Sequence, residues 1–113
     1  MTLGGNGNGR VAAPRHLRPA TRRWFRSVVA EFELEQHHVR ILTLAGESWD
    51  RCCEARETLK KDGLTVVGRF GPKAHPCVGI ERDSRLAFAR LLRELQLDAP
   101  PPGETRTPRI GGG

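Results

Sequence analysis

The chain has 113 residues, with 19 Lys or Arg against 13 Asp or Glu and a formal net charge of +6. That length supports one small domain at most, without a large private core. No apolar run approaches the roughly 20 residues of a membrane-spanning helix. Three cysteines, two of them adjacent, make a poor disulfide framework, so a reducing cytoplasmic setting is expected.

Residues 1–16 open on Gly4-Gly5-Asn6-Gly7-Asn8-Gly9 and continue through Arg10 to His16, too poor in apolar side chains to offset the entropy of ordering them. They are expected to form an unstructured basic arm. Met1 to Gly5 shows neither a secretory signal nor a lipid-anchoring start. Residues 1–30 hold Arg10, Arg15, Arg18, Arg22, Arg23 and Arg26 and no acid, the first carboxylate being Glu31. From there to Asp98 eleven basic residues face twelve acidic ones, so the excess charge sits at one end. An arginine-only end on a neutral body is what capture of a polyanion needs, because each Arg on a phosphate releases a counterion. A merely solvated tail is the plainer alternative.

Pro19 suits the first turn of a helix, and Trp24, Phe25, Val28, Val29 and Phe32 follow at helical spacing. The arginines continue around the other side, so this helix can both pack and bind. A much longer helix is predicted from about Gln36 to Lys61. His38, Ala45, Cys52 and Leu59 recur every seven residues, with Leu42, Trp49 and Arg56 between them. Ile41, Leu44, Ser48 and Ala55 widen this seam beyond what one short helix would cover, which points to oligomerisation. Asp62-Gly63 ends the helix, with Gly63 as a left-handed cap.

Leu64 to Phe70 favours extended structure through Thr65, Val66 and Val67, and Gly68 and Gly71-Pro72 mark turns. This connector is expected to pair with a copy of itself or simply to pack. A third helix begins after Pro76, carrying Leu86, Ala87, Phe88, Leu91, Leu92, Leu95 and Leu97 as a leucine-rich face, and Asp98-Ala99 with Pro100 to Pro102 stops it. The fold class is thus all-α: three main helices, the central one long, with a short β-like connector. The domain is expected over 17–98, with a disordered Pro/Gly-rich tail over 99–113.

The ordered series Leu17-Arg18-Pro19-Ala20-Thr21 with Trp24, Leu42 through Trp49-Asp50-Arg51 and Ala55, and Leu59-Lys60-Lys61-Asp62-Gly63-Leu64-Thr65 resembles the small subunit of tailed-phage terminase. Gly71-Pro72-Lys73-Ala74-His75-Pro76 and Arg90-Leu91-Leu92-Arg93-Glu94-Leu95-Gln96-Leu97 complete it. Gln36-His37-His38 stands where that family usually has an aspartate. The resemblance, over about Leu17 to Leu97, implies a non-enzymatic component of a genome-packaging motor, phage- or prophage-encoded and acting in the bacterial host cytoplasm. It implies a homo-oligomeric ring that binds double-stranded DNA and serves a terminase large subunit carrying the ATPase and nuclease.

Other chemistry is weakly signalled. The glycine-rich leader lacks the strand, helix and Lys-Ser/Thr pair of a phosphate loop. His37, His38, His75, Cys52, Cys53 and Cys77 resemble a zinc set only on paper, since adjacent helical residues point about 100° apart. Cys77 beside His75 has no accompanying oxyanion element. Trp24 and Trp49 fit apolar stripes better than base stacking. No catalytic residue, metal or cofactor is expected. DNA contact is assigned to Arg10, Arg15, Arg18, Arg22, Arg23 and Arg26, a loop or interface role to Gly71, Lys73, His75 and Pro76, and the oligomer or core seam to Leu42, Ala45, Trp49, Cys52 and Leu59. A small helix-turn-helix regulator is the alternative, and a metal-dependent nuclease a distant third.

Overall fold

In the computed structural model, residues 11–97 and 100–103 are described. The order is α1 (Pro19–Glu31), α2 (Gln36–Asp62), β1 (Thr65–Gly68), β2 (Gly71–Ala74) and α3 (Pro76–Leu95). Three helices with a long central one and a β connector match the sequence reading. Each helix start has a physical cause. Pro19 and Pro76 occupy first-turn positions that need no N–H. Glu35 opens α2 through a reciprocal capping box: its side chain accepts from the His38 N–H, and its own N–H donates to His38 Nδ1.

Thr21, Trp24, Phe25, Val28 and Val29 form the buried side of α1, and Leu42, Ala45, Gly46, Asp50, Cys52 and Ala55 that of α2. Trp49 lies 4.9 Å from Phe88 between ring centroids, and Cys52 and Arg56 both meet Glu81. As α2 numbering rises α3 numbering falls, so the two helices are antiparallel. The α1 end of the core is closed tightly, because a Cβ on Gly46 would come within 3.1 Å of Leu17 Cδ1 and 3.2 Å of Thr21 Cγ2.

The expected seam is therefore the core of a single chain. Leu42, Ala45 and Cys52 are fully buried, Ala55 nearly so, and Trp49 and Leu59 half-buried. The surplus apolar face inferred for α2 is corrected: of Ile41, Leu44, Ser48 and Ala55, only Leu44 is largely exposed. In α3, Phe88 and Leu95 are buried and Leu91 and Leu92 pack against the core, but Leu86 is turned about 200° away from Phe88 and lies outside that face.

The domain boundaries also move outward. Val11 and Ala13 join the core cluster with Leu17, so order reaches back to Val11 and not to Leu17. Small side chains count little in composition yet fit against a helix pair. At the other end, the Trp24 Nε1–H donates to the Pro100 carbonyl at 2.8 Å and Pro102 is buried, so the start of the supposed tail is packed. The glycine leader, Arg10 and residues 104–113 lie outside the described residues.

The connector folds back on itself as a hairpin: β1 pairs with β2 antiparallel, Thr65 opposite Ala74, Val66 opposite Lys73, Val67 opposite Pro72 and Gly68 opposite Gly71. Gly63 has φ 88° and ψ 173°, an extended region open essentially to glycine alone and not the expected left-handed helical cap. At the end of α3 it is Gln96 that takes the left-handed conformation. Its N–H bonds to Arg93 O and that of Leu97 to Leu92 O, a Schellman ending.

Candidate nucleic-acid interface

Arg23 and Arg26 lie on the side of α1 away from the buried Thr21, Trp24, Phe25, Val28 and Val29, while Arg22, in line with Phe25 and Val29, flanks the packed face. Arg23 and Arg26 are exposed and Arg22 is half-buried; Arg15 is exposed on the preceding turn. Among the described residues no carboxylate forms an ion pair with any of these four. The helix itself contributes no acid before Glu31. The solvent side of α1 is thus a compact patch of uncompensated guanidinium groups.

Arg18 differs from the rest. Its Nη2 is ion-paired with Glu57, and that bond, together with the charges of Glu57, Cys53 and Asp50, raises its pKa further against the cost of burial. In this structure Arg18 braces α1 against α2 through Glu57. Arg18 Nη1 and Arg22 Nε are shielded from solvent without a hydrogen-bond partner among the described residues. Arg10 lies outside the described residues.

What holds the patch in place is a buried carboxylate that sequence reading passed over. Asp50 accepts from the Arg18 backbone N–H at 2.8 Å and from the Thr21 hydroxyl at 2.5 Å. The N-cap residue of α1, Arg18, makes no side-chain cap of its own, so α2 supplies the anion at the positive end of the α1 dipole. His16 Nε2 meets Glu47 Oε2 at 2.7 Å and ties down the preceding turn. The signal available in the sequence was one acidic residue, Asp50, at a position otherwise facing the apolar seam.

His75 resolves into a structural device. Its Nδ1 accepts from the Cys77 N–H at 3.0 Å, which leaves the proton on Nε2 to be donated to Asp62 Oδ2 at 3.1 Å. One imidazole therefore caps α3 and ties it to the end of α2, while the His75 N–H closes the hairpin on Leu64 O. Pro76 starts the helix, Gly71 adopts φ 120°, and only Lys73 of the four assigned loop residues presents a free charged side chain.

The three cysteines are free thiols. Cys52 is buried beneath Glu81, and burial raises its pKa; Cys53, raised by the same cause, is half-buried beside Arg18 and Arg56. Among the described residues no three His, Cys, Asp or Glu side chains converge as a metal site. None of the described helices is long and apolar enough to cross a membrane. Comparison with protein-family models, with curated proteins and with solved structures gives no match to this chain.

Proposed function

We propose that this chain is the DNA-binding small subunit of a phage terminase, a non-enzymatic ring-forming protein that delivers duplex DNA to a large ATPase and nuclease subunit. The observation that carries the DNA-binding reading is the arginine patch without ion-pair partners among the described residues: Arg23 and Arg26 on the open side of α1 with Arg22 at its edge, next to Arg15 and to an N-terminal segment without acids. α1 carries no Asn or Gln beside these arginines, so binding is backbone-dominated, with modest sequence preference. The packaging assignment is supported by the ordered motif series, including the Gly71 to Pro76 stretch whose His75-Pro76 pair joins α2 to α3. Ring formation rests on the same resemblance.

The test is the salt dependence of duplex binding. Replacing Arg22, Arg23 and Arg26 together with alanine should weaken binding on every sequence and flatten the slope of log K against log salt by about 0.9 for each phosphate that no longer meets a cation. An unchanged slope removes α1 from the interface. Native mass measurement tests the assembly: a higher ring supports packaging, a dimer supports an operator-binding regulator, and a monomer indifferent to DNA in dilute buffer overturns the whole reading.

A further inference from the structure

The most exposed apolar residues of the described chain are at the hairpin tip: Phe70 is 95% exposed and Val67 91%. Their projection is built in. A Cβ on Gly68 would lie 2.9 Å from the Gly71 carbonyl, and Gly71 carries the positive φ that the turn requires, so two glycines clamp a two-residue loop of Arg69 and Phe70. With the turn strain placed on Gly71, Arg69 and Phe70 keep ordinary backbone angles and have nowhere to point but outward.

The charge around this tip is of one sign. No acid occurs from Gly63 to Ile80, while Arg69 and Lys73 lie in that stretch and Lys60 and Lys61 end the helix before it. The nearest carboxylate, Asp62, is held by His75. The Arg69 guanidinium rests 5.5 Å from the centre of the Phe70 ring, so a cation and an aromatic face leave the protein together. The single sign of the charge is what favours a polyanion: cations flanking an aromatic tip are complementary to stacked bases between two rows of phosphates.

We propose that the hairpin tip is a second DNA contact, in which Phe70 enters as a wedge between base pairs from the minor groove and Arg69 and Lys73 pair with the flanking phosphates. This rests on the DNA-binding reading above and adds the mode of contact. Strands of four residues carry the tip about 13 Å from the helix ends, more than the minor-groove depth of about 7.5 Å. The ribbon stays outside the groove and only the tip side chains enter. Wedging unstacks one step and bends the duplex toward the major groove, a cost met by the additional protein surface that a bent duplex contacts.

The experiment measures both affinity and end-to-end energy transfer of a doubly labelled duplex with the full-length chain and its Phe70→Ala, Phe70→Leu and Arg69→Ala/Lys73→Ala variants. Phe70 has almost no intramolecular burial to lose, so these variants keep the fold. Phe70→Ala should weaken binding by about tenfold and abolish the bend while leaving the salt slope unchanged. Phe70→Leu, still an apolar wedge, should restore most of the bend. Arg69→Ala/Lys73→Ala should reduce the salt slope by about 2. A Phe70→Ala protein that binds and bends DNA as the parent does overturns the wedge and leaves the α1 reading standing. Wild-type protein that binds no duplex overturns both. A Phe70→Ala protein with unaltered DNA bending but a smaller native mass overturns the wedge and assigns the tip to a second copy.

Discussion

Asp50 shows how one side chain can decide a helix start. It is 7% exposed, yet both carboxylate oxygens are satisfied, one by a backbone N–H of α1 and one by the buried Thr21 hydroxyl. A buried anion is retained only when its hydrogen bonds are met, and here the α1 N-terminus adds a favourable field. Asp50→Ala should therefore cost about 2–4 kcal/mol of folding stability, combining loss of a charged cap with an orphaned buried hydroxyl. Adding Thr21→Val should recover part of that loss, because no unpaired hydroxyl remains. Urea denaturation of the two variants provides the check. A loss under about 0.5 kcal/mol for Asp50→Ala would show that the cap is not an anchor of α1.

At the level of elements, α2 and α3 are held by apolar packing, by the His75–Asp62 tie at the hairpin end and by a polar clasp on Glu81. Glu81 accepts from Arg56 at 3.0 Å and from Arg85 at 3.3 Å, and takes the Cys52 thiol at 3.6 Å. The Arg56 bond is the main reason its pKa falls below the ordinary glutamate value, with Arg85 and Cys52 adding to it and burial opposing. A carboxylate depressed on folding contributes stability that is present above its unfolded value, 4.5, and is lost as pH falls through the lower folded value. The stability gap between the wild-type chain and Glu81→Gln should accordingly be widest near neutral pH and close in acid; denaturation midpoints from pH 7 down to 3 test it, and a gap that stays constant refutes the clasp. Such polar pairings were not legible in the sequence. The helices were, because Val28, Val29, Leu42, Ala45 and Phe88 repeat with helical period and Pro19, Gly63 and Pro76 punctuate them. The partners were not, because periodicity gives the side of a helix a residue lies on and not which helix covers it: α2 looked over-apolar until α1 and α3 were seen to share it. Asp50 and His75 were opaque for a related reason, since their bonds join residues 12 or more positions away or depend on a ring tautomer. Of the candidate site, the α1 arginines were legible from charge alone, whereas the pairing of Arg18 with Glu57, 39 residues on, was not.

Across the whole molecule, the covered and uncovered sides of α1 have separate tasks. Among the described residues its Arg23 and Arg26 side stays open, while the opposite side is covered by Val11, Ala13 and Leu17 before it and meets Pro100 after α3. The Trp24 indole is the meeting point: its ring packs 5.7 Å from Phe88 and its N–H reaches the Pro100 carbonyl. In so small a domain the late proline segment is a real part of the core, since Pro102 is itself buried. This separation leads to a paired truncation. A chain ending at Gly103 should keep the wild-type unfolding midpoint and a blue-shifted tryptophan emission. A chain ending at Leu97 should lose the indole acceptor and its apolar cover, at a cost of about 1–3 kcal/mol, with emission moving to the red. Both truncations lack Arg106 and Arg109 and differ in charge only by Asp98, so they are compared through the salt slope of DNA binding. At temperatures where both remain folded, the two should bind duplex DNA with the same salt slope, because the arginine side of α1 does not face the proline segment. A difference in slope between them would mean that the C-terminal segment belongs to the DNA interface and not to the core alone.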